Sequence, residues 1–503
     1  MKRDRFLLAI TLVVVLTVDV YFVLLPRLRA WYEVSGGGCN CHRGIGGVGY
    51  TERVSRKTNF SSSAVSRKGS KLKRLFSHPL YNIHLPDLNP DERLLEEEEL
   101  MDYYKRKVNR WQRQQKFFLE SGASSNISFP NQPITFDSDA SWLKFHLGIN
   151  RYALYSKDDQ NIDRLLQDMQ SSTIIGADYT QDGKALKGAC DCSQVVKPSG
   201  HHLKLALKLQ DFGKAMFKPM RQERHDETPE DFFYFVDFQR HNAEIASFHL
   251  DRVLDFRRVP PVVGRLVNIT ANNTCFFAKC LYVCKTEYAV CGHPDFLEGS
   301  MSAYLPGLSV APRISIPSPW IRSYTFTGKE EWEVNPSYCD TVKRLYPYSS
   351  GNRLLNIIDM AIFDFLTGNM DRHHYEIFTK FGDEGFLLHL DNARGFGRHS
   401  YDEMSILAPL TQCCMIKRST LLKLQLLMQP EYRLSEVMRE SLARDPLGPV
   451  LTELHLQALD RRLERILRSV SRCVKKLGEA KVVVTDFMEN SGTSTERDQK
   501  KGR

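Results

Sequence analysis

The chain has 503 residues, of which 42% are hydrophobic and 26% charged, so its composition is that of an ordinary globular protein. This excludes a collagen, a coiled coil and a wholly disordered chain, and a single long apolar run excludes a multispanning membrane protein. The formal net charge of +9 resembles that of a nucleic-acid-binding protein, but residues 41–75 alone carry nine Lys/Arg against one Glu. Because the basic surplus lies in a leader and not on a folded face, we expect no nucleic-acid partner.

Residues 1–35 are typical of a signal for the secretory pathway. Three basic residues precede an apolar stretch from Phe6 to Leu25, and 20 helical residues span about 30 Å, enough to cross a bilayer. The positive flank keeps this end cytoplasmic and sends the rest of the chain into the lumen. A cleaved signal peptide and an uncleaved anchor both remain open, as does a buried N-terminal core helix. We expect contact with the membrane only through this segment.

Glycosylation motifs and cysteines agree with a secretory route. Four asparagines begin an N-x-Ser/Thr acceptor: Asn59, Asn126, Asn268 and Asn272. Four of the twelve cysteines cluster within seventeen residues, namely Cys275, Cys280, Cys284 and Cys291. A zinc ribbon would need two close C-x-x-C knuckles, and the sequence contains none. An oxidising lumen therefore favours disulfides over metal sites or free thiols.

Composition divides the chain after residue 35 into four segments. Residues 36–75 are basic and rich in Gly and Ser, which predicts a disordered linker. Residues 76–135 carry apolar side chains at helical spacing, so this helical arm must bury one face, either on its own domain or as a partner interface. Residues 136–480 predict one mixed α+β domain. Residues 481–503 are polar and predict a disordered tail.

Within residues 136–480, hydrophobic periodicity predicts three helices and three strands. The helices are Asn242–Leu254, Leu354–Leu366 and Leu454–Leu477, and the strands are Lys204–Pro219, Val259–Val267 and Phe386–Leu390. The second helix should stop at Gly368.

Three polar residues lie where they could carry chemistry. Lys218 lies near the end of a strand, Asp371 follows a helix end, and Asp391 follows an apolar run and precedes glycines. A strand lysine that neutralises phosphate, a loop aspartate that accepts a hydroxyl proton and a metal-binding aspartate are the parts of a protein-kinase-like site. Each alone is more often a turn former or a snorkelling lysine. Because the G-x-G-x-x-G loop is absent, an ordinary cytosolic kinase is not favoured.

Longer stretches of sequence resemble a known family. They are Phe-Lys-Pro-Met at 217–220, Arg-His-Asn-Ala-Glu-Ile at 240–245, Arg-Val-Pro-Pro-Val-Val-Gly-Arg at 258–265, Gly-Asn-Met-Asp-Arg-His-His-Tyr-Glu at 368–376 and His-Leu-Asp-Asn-Ala-Arg-Gly-Phe-Gly at 389–397. Together the chain resembles, over about residues 75–478, the secretory-pathway kinase family that includes the Golgi casein kinase and the xylosylkinase. The resemblance implies an atypical, two-lobed protein-kinase-like α+β fold with an N-terminal helical arm and disulfide bonds.

The resemblance also implies roles for single residues. Lys218 would bind nucleotide phosphates, Asp371 would occupy the position of the catalytic base, and Asp391 would be the metal-binding aspartate. Glu376 would contact the nucleotide. The hinge against adenine would be formed by Ser302, Ala303, Tyr304 and Leu305. His202 would lie near the phosphates, where active relatives tend to have Gln. The implied cofactor is ATP.

One position departs from the pattern of the active members. They carry Glu where this chain has Gln239, and a neutral carboxamide is a poorer ligand for a hard cation. We expect the change to leave Lys218 without its counter-ion. Glu244 lies five residues on, about 140° around a helix, and is expected to face elsewhere. Asp391 would be the one remaining metal ligand, which predicts ATP binding without a divalent metal and no catalytic activity.

The resemblance further implies four disulfides: Cys275–Cys291, Cys280–Cys284, Cys339–Cys413 and Cys414–Cys473. This chain adds Cys190 and Cys192, in an insertion that is absent from the pattern of the active relatives. The two are too close together to bridge each other without strain. We expect them to pair instead with Cys280 and Cys284, one each. The chain is also shorter than the family pattern at residues 271–274.

The sequence thus favours a pseudokinase, most similar to the pseudokinase paralogue of the Golgi casein kinase. The resemblance implies that it binds the casein kinase and raises its activity, in the lumen of the endoplasmic reticulum and Golgi and after secretion. The process served would be phosphorylation of secreted proteins in biomineralisation and enamel formation. A homodimer is a second expected assembly, beside the complex with the casein kinase. The alternatives are an active secretory kinase that tolerates Gln239, and an extracellular structural glycoprotein that uses the fold as a scaffold.

Overall fold

The computed structural model describes residues 70–82, 90–120, 136–178, 204–268, 296–325 and 327–486. The helices are α1 (Lys71–Phe76), α2 (Glu97–Glu120), α3 (Ser141–Gly148), α4 (Asn161–Ser171), α5 (His241–Val253), α6 (Glu331–Val334), α7 (Tyr338–Val342), α8 (Arg353–Thr367), α9 (Ala408–Cys413), α10 (Arg418–Leu427), α11 (Leu434–Leu442), α12 (Glu453–Leu477) and α13 (Glu479–Val482). The strands are β1 (Ile174–Asp178), β2 (Leu205–Leu209), β3 (Lys214–Pro219), β4 (Val262–Asn268), β5 (Phe296–Ala303), β6 (Arg313–Pro317), β7 (His374–Phe378), β8 (Ile416–Lys417) and β9 (Val483–Val484).

The small lobe is an antiparallel sheet of five strands in the order β1-β2-β3-β5-β4. Phe217 in β3 lies opposite Leu205 in β2 and Met301 in β5, so the register alternates a buried apolar face with a more polar one. Helix α5 packs on β4 and β5, and almost every one of its residues is buried. This arrangement fixes α5 beside the end of β3, where the candidate lysine lies.

The large lobe is built around α8, in which every residue is buried. The helix ends at Gly368, which adopts the left-handed conformation with φ 76°, as the sequence predicts. Helices α9 and α12 pack on it. The loop after it leads into β7, which pairs antiparallel with β6 from before the helix. Disulfides join Cys339 to Cys413 and Cys414 to Cys473, the same two pairs that the resemblance implies.

Helix α2 packs its apolar face on the same domain. The Tyr104 and Trp142 rings lie 4.6 Å apart between centroids, and Trp111 lies 5.5 Å from Phe212. Val108 is buried between these contacts along the helix. Of the two alternatives for the helical arm, packing on its own domain therefore accounts for the apolar face, while the opposite face of α2 is exposed.

The structure corrects two predicted boundaries. Residues 70–75 are not linker, because α1 forms there with Leu72 and Leu75 buried and Ser70 Oγ accepting a hydrogen bond from Lys73 N at 3.0 Å. The predicted tail is wrong at its start, because β9 pairs with β8 and Asp486 binds Ser419. Both segments are held by packing on the large lobe. Polar composition alone does not predict such contacts, because they involve residues far away in the sequence.

The predicted strand Phe386–Leu390 is also wrong. These residues are buried or nearly so. They form an isolated β-bridge between Leu388 and Glu376 instead of a strand. A short apolar run is buried alike in a strand and in a packed loop, so hydrophobicity alone does not separate the two.

Several predictions fall outside the described residues: the signal segment 1–35, most of the linker, His202, six of the paired cysteines and three of the four acceptor asparagines. Asn268 is the last residue of β4. Among the helices that are described, none is long and apolar enough to cross a membrane.

Candidate functional site

Lys218 lies one residue before the end of β3, buried between the lobes. Its ammonium group donates hydrogen bonds to Glu244 Oε1 on α5 and, at 2.5 Å, to Asp391 Oδ1 on the large lobe. The two carboxylates outweigh the effect of burial and raise the pKa of Lys218 above its ordinary value. The lysine therefore stays charged and joins α5 to the loop that carries Asp391.

This pairing overturns two expectations. Lys218 has a counter-ion although residue 239 is Gln, and Glu244 faces the site instead of pointing elsewhere. The expected separation of about 140° between residues 239 and 244 holds only if both lie on one helix. In the structure α5 begins at His241, after the extended residue Arg240, so the helical rotation does not apply to Gln239.

Asp391 is held in an uncommon backbone conformation, with φ 56°. Its Oδ2 lies 3.5 Å from Lys204 Nζ, so each carboxylate oxygen faces a different lysine. Burial raises the pKa of the Asp391 carboxyl, but the charges of Lys218 and Lys204 outweigh it and hold that pKa well below its ordinary value. Asp391 is therefore ionised, and each of its oxygens faces one lysine while the side chain stays partly exposed.

Lys204 is a site residue that sequence reasoning missed. It lies immediately before β2, and the register of the β2–β3 hairpin pairs Leu205 with Phe217. Continuing that register by one residue places Lys204 opposite Lys218. Two like charges directly across a hairpin repel each other unless a carboxylate lies between them. Two lysines at paired positions of a hairpin therefore indicate a carboxylate or other anion between them.

Asp371 lies in the loop after α8 and lines one small cavity together with Glu376 and Asp391. Its Oδ2 lies 3.3 Å from Arg394 Nε, and its backbone N donates to Asn369 Oδ1 at 3.0 Å. Its Oδ1 is buried without a hydrogen-bond partner among the described residues. The structure thus brings Lys218, Asp371 and Asp391 to one cleft, as the sequence predicts.

Gln239 lies beside the loop of Asp391. The backbone N of the next residue, Arg240, donates to Ala393 O at 2.7 Å, two residues after Asp391. The Gln239 Oε1 atom is buried and, within the described residues, accepts no hydrogen bond. An acceptor oxygen left unpaired in this position costs free energy unless a donor or a cation reaches it.

The hinge residues continue β5 out of the sheet. Ala303 N donates to Pro261 O at 2.8 Å, and Tyr304 N donates to Lys214 O at 3.0 Å. Tyr304 O lies 2.8 Å from His146 Nε2, and burial lowers the pKa of His146 to about 4, so a neutral imidazole donates this bond. Three backbone polar groups of the hinge are therefore already bonded within the protein.

Glu376 lies in the middle of β7 and accepts from Arg313 Nε at 3.2 Å through Oε2. Because it lines the same cavity as Asp391, it lies where the resemblance places a nucleotide contact. Its pairing with Arg313 on the neighbouring strand β6 fixes the position of the carboxylate.

The donor set fits phosphate better than a divalent cation. In the described part of the chain, no three His, Cys, Asp or Glu side chains are grouped so as to hold a metal ion. Both oxygens of Asp391 already face lysines, and the neighbouring side chain is a neutral amide. Mg²⁺ and Mn²⁺ need several oxygen ligands, whereas two adjacent ammonium groups suit phosphate oxygens. The cleft therefore presents two ammonium groups to phosphate, while both oxygens of Asp391 are already paired with them.

Comparison with known proteins agrees with this geometry. The family model for the Golgi casein kinase, C-terminal, Fam20, matches residues 140–272 and 269–482. The chain is 56% identical to the human protein "Pseudokinase FAM20A", over 96% of this chain and 96% of that protein. It is 48% identical to the human "Extracellular serine/threonine protein kinase FAM20C", over 83% of this chain and 71% of that protein.

Solved structures confirm the expected fold. The Golgi casein kinase with Mn/ADP bound matches with a TM-score of 0.62 and 38% identity, over 69% of this chain and 84% of that chain. A structure of hydra Fam20 with sugar matches with a TM-score of 0.59 and 34% identity, over 69% of this chain and 99% of that chain. The two-lobed kinase-like α+β fold and the family resemblance are thereby confirmed, and the chain belongs to the Fam20 family.

Proposed function

We propose that the chain is a secretory-pathway pseudokinase that binds the Golgi casein kinase and raises its activity. The observation that carries the proposal is Gln239, whose amide oxygen lies buried and unpaired beside the Asp391 loop. The resemblance assigns a metal-binding glutamate to this position in active relatives. The name of a highly similar relative, "Pseudokinase FAM20A", supports the same conclusion.

Loss of one carboxylate is enough to remove kinase chemistry for a physical reason. Phosphoryl transfer in kinases depends on metal ions that bridge the phosphates and neutralise developing charge. With Asp391 paired to Lys218 and Lys204, the cleft offers cations to phosphate but lacks the carboxylate that the resemblance assigns to the metal at residue 239. Asp371 could still accept a proton, but nothing would hold the phosphates in the transferring geometry.

The proposed cofactor is ATP without a divalent metal. Lys218 and Lys204 would contact the phosphates, and residues 302–305 would face adenine. A structure of the Golgi casein kinase holds manganese and ADP, so the family fold accommodates a nucleotide. In this chain the lysines would supply the charge that a metal supplies there.

The proposed partner surface is the exposed face of α2. Arg106, Arg110 and Arg113 lie at helical spacing on this face and are all exposed, while Tyr104 and Trp111 anchor the opposite face to the domain. Glu99 and Asp102 precede the arginines on the same face, so its later part, from Arg106, is basic and suited to an acidic surface on a partner. We propose that the Golgi casein kinase binds here, in the Golgi and endoplasmic reticulum lumen, and that the complex serves phosphorylation of secreted proteins in enamel and other mineralising tissue.

One observation favours the alternative of an active secretory kinase. The pairing of Lys218 with Glu244, together with Asp371 and Asp391 in the same cleft, retains the remaining elements of a kinase site. That alternative requires another oxygen ligand for the metal in place of residue 239, and no group of three metal-ligating side chains is found among the described residues.

The experiment measures phosphate transfer by the Golgi casein kinase to an acidic-serine peptide, with and without the secreted chain. We expect the wild-type chain to raise the rate. Arg106→Glu, Arg110→Glu and Arg113→Glu combined should abolish the increase. A matched triple on α12, with Glu at Arg472, Lys475 and Lys476, reverses the same number of exposed charges and should leave the increase intact.

Three possible results test the proposed function and the proposed surface separately. A loss of activation in the α2 triple alone supports both the function and the surface. Activation by both triples supports the function and excludes the α2 face. An unchanged kinase rate at saturating wild-type chain contradicts the proposed function.

A further inference from the structure

A large cavity lies on a different part of the molecule from the nucleotide cleft. It measures about 530 Å³ and is bounded by the turn Pro79–Tyr81, residues 150–158, residues 254–258 and the start of α10. None of Lys218, Asp371 or Asp391 lines it. Its volume is within the range of pockets that hold small molecules.

The walls carry more cations than carboxylates. Five basic and four acidic residues line the cavity: Lys157, Arg257, Arg258, Lys417 and Lys423, with Asp158, Asp255, Asp359 and Asp486. Asp158 is exposed to solvent, and Asp486 is bound to Ser419 at the start of α10. The remaining acids, Asp255 and Asp359, therefore face most of the buried positive charge.

Each of these two carboxylates is shared by two cations. Asp359 Oδ2 lies 2.8 Å from Lys417 Nζ and 3.3 Å from Arg258 Nη2. Asp255 lies 2.6 Å from Lys423 Nζ and 3.2 Å from Arg257 Nη1. Each cluster therefore sets two cations against one carboxylate. With Asp158 and Asp486 counted, the wall as a whole keeps one surplus positive charge, which an anion would neutralise.

Donor groups of the same wall also lack acceptors. Nε and Nη1 of Arg258, Nε of Arg257 and Oη of Tyr155 are buried without a hydrogen-bond partner among the described residues. Buried polar atoms are almost always paired in folded proteins, so four such atoms around one cavity indicate a missing acceptor. Guanidinium groups match the oxygens of phosphate and sulfate in particular.

The backbone at the cavity is held in an unfavourable conformation. Asp255 and Arg257 adopt left-handed φ values of 61° and 51°, uncommon for residues other than glycine. The loop is tied down at Arg257 O, which accepts from Leu154 N at 2.9 Å, and at Arg258 O, which accepts from His389 N at 3.1 Å. Strain maintained in this way is typical of ligand-binding loops.

From these observations we propose that the cavity binds a small sugar carrying a phosphate or sulfate ester. The two clusters of shared carboxylates would bind the ester through their surplus cations. Tyr81, Tyr152 and Phe256 in the same wall provide apolar faces for a sugar ring, and the carboxylates accept its hydroxyl groups. The ester group supplies the acceptors that the arginines lack.

The experiment is titration calorimetry of the secreted chain with glucose 6-phosphate, glucose 6-sulfate, inorganic phosphate and glucose. The two esters distinguish the two sources of the anion, and at least one should bind more tightly than phosphate or glucose alone. Lys423→Met in the wall and Lys157→Met at the mouth should each weaken that binding by roughly tenfold, the effect of losing one charge-assisted hydrogen bond. Lys157 is partly exposed, so its variant tests the site even if Lys423→Met fails to fold.

Two control variants locate the binding. Lys105→Met removes one exposed charge on α2, and Lys204→Met removes a cation from the nucleotide cleft. Both should bind the ester as the wild type does. Binding that is lost in Lys204→Met but kept in Lys423→Met and Lys157→Met places the anion in the nucleotide cleft and overturns the proposal. Equal affinity for glucose and its esters, or no binding of either ester, overturns it as well.

Discussion

Lys218 on β3 and Glu244 on α5 form a buried ion pair, which Asp391 completes from the large lobe. This is the pairing that positions the helix of the small lobe against the sheet in protein kinases. The chain keeps it although the carboxylate at residue 239 is absent. The ion-pair framework that orders the cleft is therefore intact, and the departure is at residue 239, where the resemblance implies a metal ligand in active relatives.

Lys218→Met tests how much this ion-pair cluster contributes to stability and to ATP binding. Glu244 would be left buried without its cation, and breaking one partner of a buried pair costs about 3 kcal/mol or more. We expect a lower midpoint of urea unfolding and loss of ATP binding. Lys208→Met on β2, which lies outside the ion-pair cluster, is the control and should change neither. An unchanged unfolding midpoint in Lys218→Met would contradict a structural role for the pair.

Gln239→Glu tests the assignment of the missing metal ligand. The substitution places a carboxylate where an amide oxygen is now unpaired, next to the Asp391 loop. We expect Mn²⁺ to bind in the presence of ATP at least tenfold more tightly than to the wild type, since one added carboxylate contributes a charged ligand to a hard cation. Isothermal titration with MnCl₂ measures this.

The matched control combines Gln239→Glu with Asp391→Asn. If residue 239 acts with Asp391, the double variant should lose the gained Mn²⁺ affinity. Equal Mn²⁺ binding by the wild type and Gln239→Glu would show that residue 239 does not face the metal position.

Buried histidines predict that the protein is less stable in acid. Burial lowers the pKa of His146 and His455 to about 4 and that of His249 to about 3. In the unfolded chain, histidines take up protons below about pH 6.5, so the unfolded state binds more protons and stability falls as the pH drops from 6.5 towards 4. All three histidines therefore make the folded state less stable as the pH falls.

Asp251 has the opposite effect on how stability depends on pH. Burial raises the pKa of its carboxyl to about 7, so the folded state holds a proton that the unfolded chain releases above about pH 4. This term adds stability as the pH falls from 7 towards 4. Burial also lowers the pKa of His389 and His241, so the histidines outnumber this carboxyl, and we expect stability to fall on acidification below pH 6.

Urea unfolding between pH 7 and pH 5 measures this dependence. His249→Gln removes one of the three groups and should reduce the slope by about 1.4 kcal/mol per pH unit. An unfolding midpoint that rises on acidification would contradict the assignment.

The large-lobe disulfides predict a measurable loss on removal. Cys414–Cys473 closes a loop across a sequence separation of 59 residues, and Cys339–Cys413 one of 74. Replacing Cys414 and Cys473 together by Ser should lower the free energy of unfolding by about 4 kcal/mol, chiefly because the unfolded chain is less constrained. Differential scanning calorimetry checks this, with mass mapping to verify that Cys339–Cys413 remains intact. Equal stability of the two proteins would contradict the prediction.

Much of the fold was predictable because its elements carry long, regular patterns. Helices α8 and α12 lie within a residue or two of the predicted ranges, and Gly368 ends α8 as expected. The pairing of Glu244 was not predictable from angular spacing, since the start of α5 decides which residues share a helix. Lys204 was missed because its role depends on hairpin register and on Asp391, which lies far away in the sequence.

Other outcomes depend on contacts that no local pattern contains. The order of residues 70–75 and 481–486 comes from packing against the large lobe. The pairing of Cys190 and Cys192 with Cys280 and Cys284 stays a prediction, since these residues lie outside the described part of the chain. Mapping of disulfide-linked peptides tests it, and an intact Cys280–Cys284 bridge would contradict it.

The most direct test of the central claim is phosphate transfer from ATP to an acidic-serine peptide by the secreted chain alone, in the presence of Mn²⁺. We predict no transfer by the wild type, because the cleft lacks the carboxylate that Gln239 replaces. Transfer by the wild type at a rate that Asp391→Ala abolishes would contradict the account and would show that the cleft holds a metal despite Gln239.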